Sequence, residues 1–134
     1  MRVSAMPETK DIIPKLEIEK ARNALDEAKI LFDSEKYYGA ANRSYYAAFH
    51  AMSALLIHDG YSMKKHSGVI SKFRELYIKT GVFETEMSEQ IASLFKLRTE
   101  CDYDTFYVVA KSDVEEQLAN AESIITAIEI RLGI

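Results

Sequence analysis

Apolar residues return at steps of three and four along most of the chain, the period of helices with one buried face. Ile18, Ala21, Leu25, Ala28 and Phe32 mark a first helix from about Lys15 to Glu35, whose other face is charged. Tyr38, Tyr45, Phe49, Met52 and Leu56 form the core stripe of a second, from about Tyr38 to His58. A third, from about Lys65 to Thr80, carries Val69, Ile70, Phe73 and Tyr77, and a fourth, from about Glu86 to Glu100, carries Met87, Ile91, Leu94, Phe95 and Arg98. A capping box, Ser112 followed by Glu115, opens a fifth, along which Val114, Leu118, Ala121, Ile125, Ile128 and Leu132 share a face. Both prolines, Pro7 and Pro14, precede Lys15, so nothing after it breaks a helix in this way. Gly39, Gly60 and Gly81 fall between the periodic segments, where left-handed C-terminal caps are wanted. Asp59-Gly60 is a hairpin dipeptide, but the residues from Ala51 to Ile57 do not alternate, so it reads as a helix end. The predicted fold class is all-α, an up-and-down antiparallel bundle of four to five helices over residues 15–134, preceded by a flexible segment at 1–14.

A length of 134 residues leaves room for one hydrophobic core and excludes a two-domain enzyme. Seventeen basic against 21 acidic residues give a net charge of -4, which excludes duplex binding through the whole surface, so any nucleic-acid contact must be local. The single cysteine, Cys101, excludes an intrachain disulfide and a multi-cysteine zinc site, and reads as a small buried thiol. The most apolar stretch, Tyr45 to Ile57, is interrupted by His50 and too short to cross a bilayer, and the start lacks the apolar centre of a signal peptide, so a cytoplasmic protein is expected. None of the three histidines has a glutamate three positions before it, which argues against a di-metal carboxylate centre. There is no Walker loop, Gly-x-Ser-x-Gly elbow or Gly-x-Gly-x-x-Gly turn. No metal or cofactor is expected.

Three clusters carry the candidate chemistry. At about 100° per residue, Arg43 and His50 lie in one row of the second helix, roughly opposite the Tyr45 stripe. Ala47, Ala54 and Ile57 complete that face, with Tyr46 at its margin. Such a face must be covered, by a neighbouring helix or by a second copy, and the small alanines favour a homodimer seam; the structural alternative pairs Arg43 with a carboxylate and makes His50 a satisfied core histidine. The second cluster, Lys64, Lys65 and His66, opens a helix where free backbone N–H groups favour an anion, and Lys72, Arg74 and Lys79 extend the positive charge. A solvated, serine-capped helix start is the plainer reading of the same residues. In the third cluster, Arg98 shares a side with Ile91, Leu94 and Phe95 and has Asp102 one turn later as its nearest partner. No spacing ties Cys101 to a base.

The run from Asn42 to Ala51, the run from Lys64 to Ile70 with Phe73, and Arg98-Thr99-Glu100-Cys101-Asp102-Tyr103 occur in this order over roughly Leu16 to Leu132. Together they resemble the HEPN domain family. The resemblance implies an antiparallel helical bundle, usually a homodimer, often encoded beside a minimal nucleotidyltransferase as a toxin-antitoxin-like pair. Many such proteins are metal-independent ribonucleases that use an arginine and a histidine a few residues later beside the dimer cleft. Arg98 matches the arginine, but Tyr103 stands where the histidine is expected, so His50 or His66 would have to supply the base. The expectation is a domain that binds a nucleotide or RNA phosphate through Arg43, Lys64, His66 and Arg98. Tyr46 and Tyr103 would stack on bases or offer hydroxyls, and Asp102 would orient Arg98. A ribonuclease toxin, with Arg98, His50 and His66 as catalytic candidates, is the alternative, and a ligand-free interaction scaffold is a third.

Overall fold

A computed structural model describes the backbone of residues 5–62 and 65–134, and the side chains of this stretch from Ile12 onward. Its elements are α1 (Ala5–Asp33), α2 (Tyr37–His58), α3 (His66–Phe73), which runs on into a π-helical turn (Arg74–Ile78), α4 (Thr85–Tyr103) and α5 (Lys111–Leu132). The described residues contain no strand, as the sequence predicts. Helix α1 begins at Ala5, ahead of the expected Lys15, and takes the buried Pro14 into its body. Helix α2 is the hub, packed against α1, α3, α4 and α5. Tyr45 and Met52 on its expected stripe are 1% exposed and Leu56 is 2% exposed, while Tyr38 lies on the surface and donates its hydroxyl to the carbonyl of Tyr107 at 2.8 Å.

The second face of α2 is covered by α1, not by a second copy. His50 Nδ1 lies 2.9 Å from Glu17 and Arg43 lies 3.5 Å from Glu27, both on α1, and Ala47 and Ala54 between and beyond them are fully buried. The small side chains let the two helices approach closely, and the carboxylates of α1 satisfy the polar members of the row. The expected homodimer seam on this face is thereby overturned in favour of the carboxylate pairing.

Helix ends follow the sequence in part. Gly60 (φ 94°) and Gly81 (φ 83°) take the expected left-handed conformation, and Tyr61 N–H donates to the Leu56 carbonyl at 2.9 Å across the first of these ends. Gly39 instead lies inside α2, where an added Cβ would stand 3.2 Å from Leu31 of α1, and Glu35 (φ 60°) forms the left-handed cap after α1. The capping box at Ser112 is not used, because the N-cap is Ala110 and no side chain caps the helix. Val109 and Val114 are buried in one cluster, a hydrophobic staple that sets where α5 starts. The third helix, expected as one α-helix, widens at Arg74–Ile78, where Lys79 N–H reaches the Arg74 carbonyl at 2.9 Å. The turn is tied on two sides, through Arg74 Nε to Ser88 Oγ of α4 at 2.9 Å and Tyr77 hydroxyl to Asp59 at 2.5 Å.

Among the described residues no helix is long and apolar enough to cross a membrane, and no group of three or more His, Cys, Asp or Glu is arranged to hold a metal ion.

Candidate functional site

The middle of α2, the start of α3 and the end of α4 meet around the ring of Tyr46. From α4, Arg98 lies with its guanidinium carbon 5.0 Å from the ring centre of Tyr45 and 5.4 Å from that of Tyr46. Its Nη2 donates to the Tyr46 hydroxyl at 3.1 Å. That hydroxyl accepts from Arg98, which leaves its own proton to donate to something else. Arg98 Nε lies 3.1 Å from Asp102 Oδ2, the expected one-turn ion pair, but the alignment does not make a hydrogen bond and the Nε is buried without an acceptor. The hydroxyls of Tyr45 and Thr99 are likewise buried and unpartnered among the described residues. A buried polar atom without a partner carries a desolvation penalty, and two of these, the Tyr45 hydroxyl and Arg98 Nε, belong to side chains that meet in the cluster.

His66 is the first residue of α3. Its ring lies 4.0 Å from that of Phe49 and 5.4 Å, edge to face, from that of Tyr46. Burial among these rings, with the charges of Arg98 and His50, holds its pKa below the ordinary histidine value, which favours the uncharged imidazole with one ring nitrogen free to accept a proton. Burial also pushes the Tyr45 phenol up against the opposing charge of Arg98, and the hydroxyl remains a proton donor. Arg43 reaches the same centre from α2, 5.1 Å from the Tyr46 ring, while its nitrogens contact Asn42 at 3.3 Å and Glu27.

The structure therefore brings together Arg43, Tyr46, His66, Arg98 and Asp102. His50 stands beside the cluster, its ring against Phe49 at 5.8 Å, but its Nδ1 is engaged by Glu17. Tyr103 is 75% exposed at the end of α4 and does not join the cluster. Lys64 lies outside the described residues. The Cys101 thiol is pushed up to about 11 by burial, with Asp102 and Glu100 adding to the effect, which keeps it from acting as a nucleophile at neutral pH. Sequence reasoning placed Tyr45 in the core stripe and missed its part in the site; the signal was a hydroxyl carried by the most buried stripe of the chain.

The HEPN domain family's sequence profile matches residues 15–131. A protein of Thermotoga maritima named "UPF0332 protein" is 37% identical over 110 residues, which cover 82% of this chain and 83% of that protein. A protein of Methanocaldococcus jannaschii named "Putative toxin MJ0605" is 37% identical over 123 residues, 90% of this chain and 86% of the other, and a second from that organism, "Putative toxin MJ0142", is 37% identical over 98 residues, 73% of this chain and 67% of the other. The crystal structure of TT1696 from Thermus thermophilus superposes with a TM-score of 0.75 at 20% identity, over 88% of this chain and 97% of that one, and so shares the fold. This is an all-helical bundle with a cationic, tyrosine-centred cluster between α2, α3 and α4. The chain belongs to the HEPN domain family.

Proposed function

We propose that the chain is a toxin-type HEPN domain that binds an RNA phosphate at the Tyr46-centred cluster, acting as a homodimer with a minimal nucleotidyltransferase as its partner. The carrying observation is the convergence of Arg98, Arg43 and His66 on Tyr46, beside a Tyr45 hydroxyl and an Arg98 Nε that are buried without a hydrogen-bond partner. A phosphate supplies acceptor oxygens for these donors and charge for the cations, in a site where exclusion of water strengthens both. The toxin names of two relatives support the same class, and the partner rests on the family resemblance. In a titration of fluorescently labelled single-stranded RNA, Tyr46→Phe is expected to weaken binding by roughly tenfold or more, about the worth of one hydrogen bond to a charged group. Binding equal to that of the parent overturns Tyr46 as a phosphate donor.

A second reading, metal-independent cleavage, is favoured by the lowered pKa of His66, which shares the Tyr46 cluster with Arg98. In this chemistry the 2′-hydroxyl attacks phosphorus and gives its proton to His66, Arg98 steadies the charge on the phosphorane, and the P–O5′ bond breaks as its oxygen takes a proton from water. Cleavage in the presence of a chelator is then expected to be lost in His66→Gln. Because the His66 pKa is lowered, the parent's rate should fall toward acid pH with a midpoint below the ordinary histidine value, as the imidazole takes up its second proton. No cleavage by the parent leaves binding as the function, and equal cleavage by the variant removes His66 as the base.

A further inference from the structure

A cleft of about 530 Å³ opens between α4 and the α3–π-turn segment. Ile70 and Phe95 supply its apolar surface, Ser67 and Ser71 its hydroxyls, and Arg74 and Lys79 its cations. It adjoins the phosphate cluster, since the Phe95 ring meets the edge of Tyr45 at 5.9 Å, Tyr45 lies under Arg98, and Ser67 follows His66 in the chain. Phe95 belongs by spacing to the core stripe of α4, yet it is 41% exposed where its neighbours Ile91 and Leu94 are 1% exposed. The cations are free to act on a ligand. Arg74 is held in place through Ser88, bonding its Oγ at 2.9 Å and its carbonyl at 3.2 Å, and neither Arg74 nor Lys79 has a carboxylate within ion-pair distance among the described residues. The one acid on the cleft, Glu75, is 3.6 Å from Lys72.

An uncovered aromatic ring next to two unpaired cations suits a flat base joined to a phosphate better than either a purely apolar or a purely anionic ligand. We propose that this cleft is a second nucleotide subsite for single-stranded RNA, in which the base flanking the Arg98-bound phosphate stacks on Phe95 and the next phosphate meets Arg74 and Lys79. The inference rests on the phosphate reading of the Tyr46 cluster and extends it to substrate class. A base inside a duplex is stacked on both faces and cannot lie on Phe95, so duplex RNA is excluded from the subsite.

The chain contains no tryptophan, so Phe95→Trp introduces a sole indole at the subsite. Titration with a short oligouridylate is expected to quench this indole in parallel with binding followed by the anisotropy of the same labelled oligomer, while a duplex of equal length and inorganic phosphate leave it unquenched. Phe95→Ala should weaken oligouridylate binding roughly 5- to 150-fold, the loss of one stacked base. Lys79→Ala should lower the slope of log K against log salt by about 0.7, the loss of one phosphate contact on a single strand. An indole that stays unquenched while the oligomer binds, or a Phe95→Ala variant with parental affinity and parental circular dichroism, overturns the subsite. If Arg98→Ala alone loses affinity, the phosphate reading stands and the subsite falls; if Arg98→Ala binds like the parent, the phosphate reading falls whatever the indole reports.

Discussion

Ala47→Glu is expected to abolish the fold. Ala47 lies in the α2 row between Arg43 and His50, is fully buried, and is covered by α1, whose buried positions include the small Ala21, Ala24 and Ala28 beside Leu25. The Arg43 and His50 side chains on that row already have Glu27 and Glu17 as partners, so a new carboxylate would add an acid where the acids are already placed. It must either stay charged without a partner or take up a proton, and its bulk must push α1 away from α2. Burying an unpaired charge and overpacking a helix contact together place the cost above about 4 kcal/mol, against a total stability of about 5–15 kcal/mol for a domain. Far-UV circular dichroism of the variant should show lost helix, and its urea titration should lack the parent's cooperative transition. Ala47→Ser, which adds one small group, should stay folded with a lowered midpoint. A variant with parental helix content and half the parent's mass by light scattering would instead restore a seam between copies at this face.

That outcome bears on what a helix's own period can reveal. The spacing in α2 places Arg43, Ala47 and His50 in one covered row, and covered they are, but the period of one helix does not say which surface covers it. Glu17 and Glu27 lie on a helix whose charged face reads as solvated, and only tertiary packing identifies them as the partners. Arg98 with Asp102 was legible because one turn fixes their proximity whatever else the chain does. The meeting of His66 with Arg98 at Tyr46 follows from no local spacing, since it depends on how the helices dock, and only the family resemblance grouped the two. Local rules that compete were also hard to rank. Ser112 and Glu115 satisfy the capping-box spacing, yet the burial of Val109 with Val114 starts the helix earlier. A glycine can serve as a left-handed cap or as a point of close approach, and Gly39 serves as the second. Phe95 shows the same limit for the site: its spacing is that of a core residue, and its exposure follows from the cleft left between α4 and the π turn.

Arg98→Ala is expected to cost the largest share of RNA binding with little loss of fold. The guanidinium is the one group that joins the Tyr45 ring, the Tyr46 hydroxyl and Asp102, and its side chain is 15% exposed, so its charge acts on a bound phosphate with little screening by solvent. Hydrogen bonds to a charged group contribute about 1.5–3 kcal/mol, which corresponds to roughly 10- to 150-fold in affinity. The effect on stability is smaller. Asp102, the partner left behind, is on the surface and regains water, so loss of the one-turn ion pair costs only about 0.5 kcal/mol, with up to about 2 kcal/mol more from the contacts over the two tyrosine rings. The expected result is therefore a folded variant, cooperative in urea at a reduced midpoint, whose RNA isotherm is shifted by at least tenfold and whose salt dependence is flattened. Arg98→Lys separates charge from geometry: an ammonium keeps the attraction to phosphate but cannot span Tyr46 and Asp102 with one planar fork, so its affinity should fall between parent and alanine. Parental affinity in a folded Arg98→Ala would remove the phosphate from this cluster, and parental affinity in Arg98→Lys with loss in alanine would reduce the role of Arg98 to its charge alone.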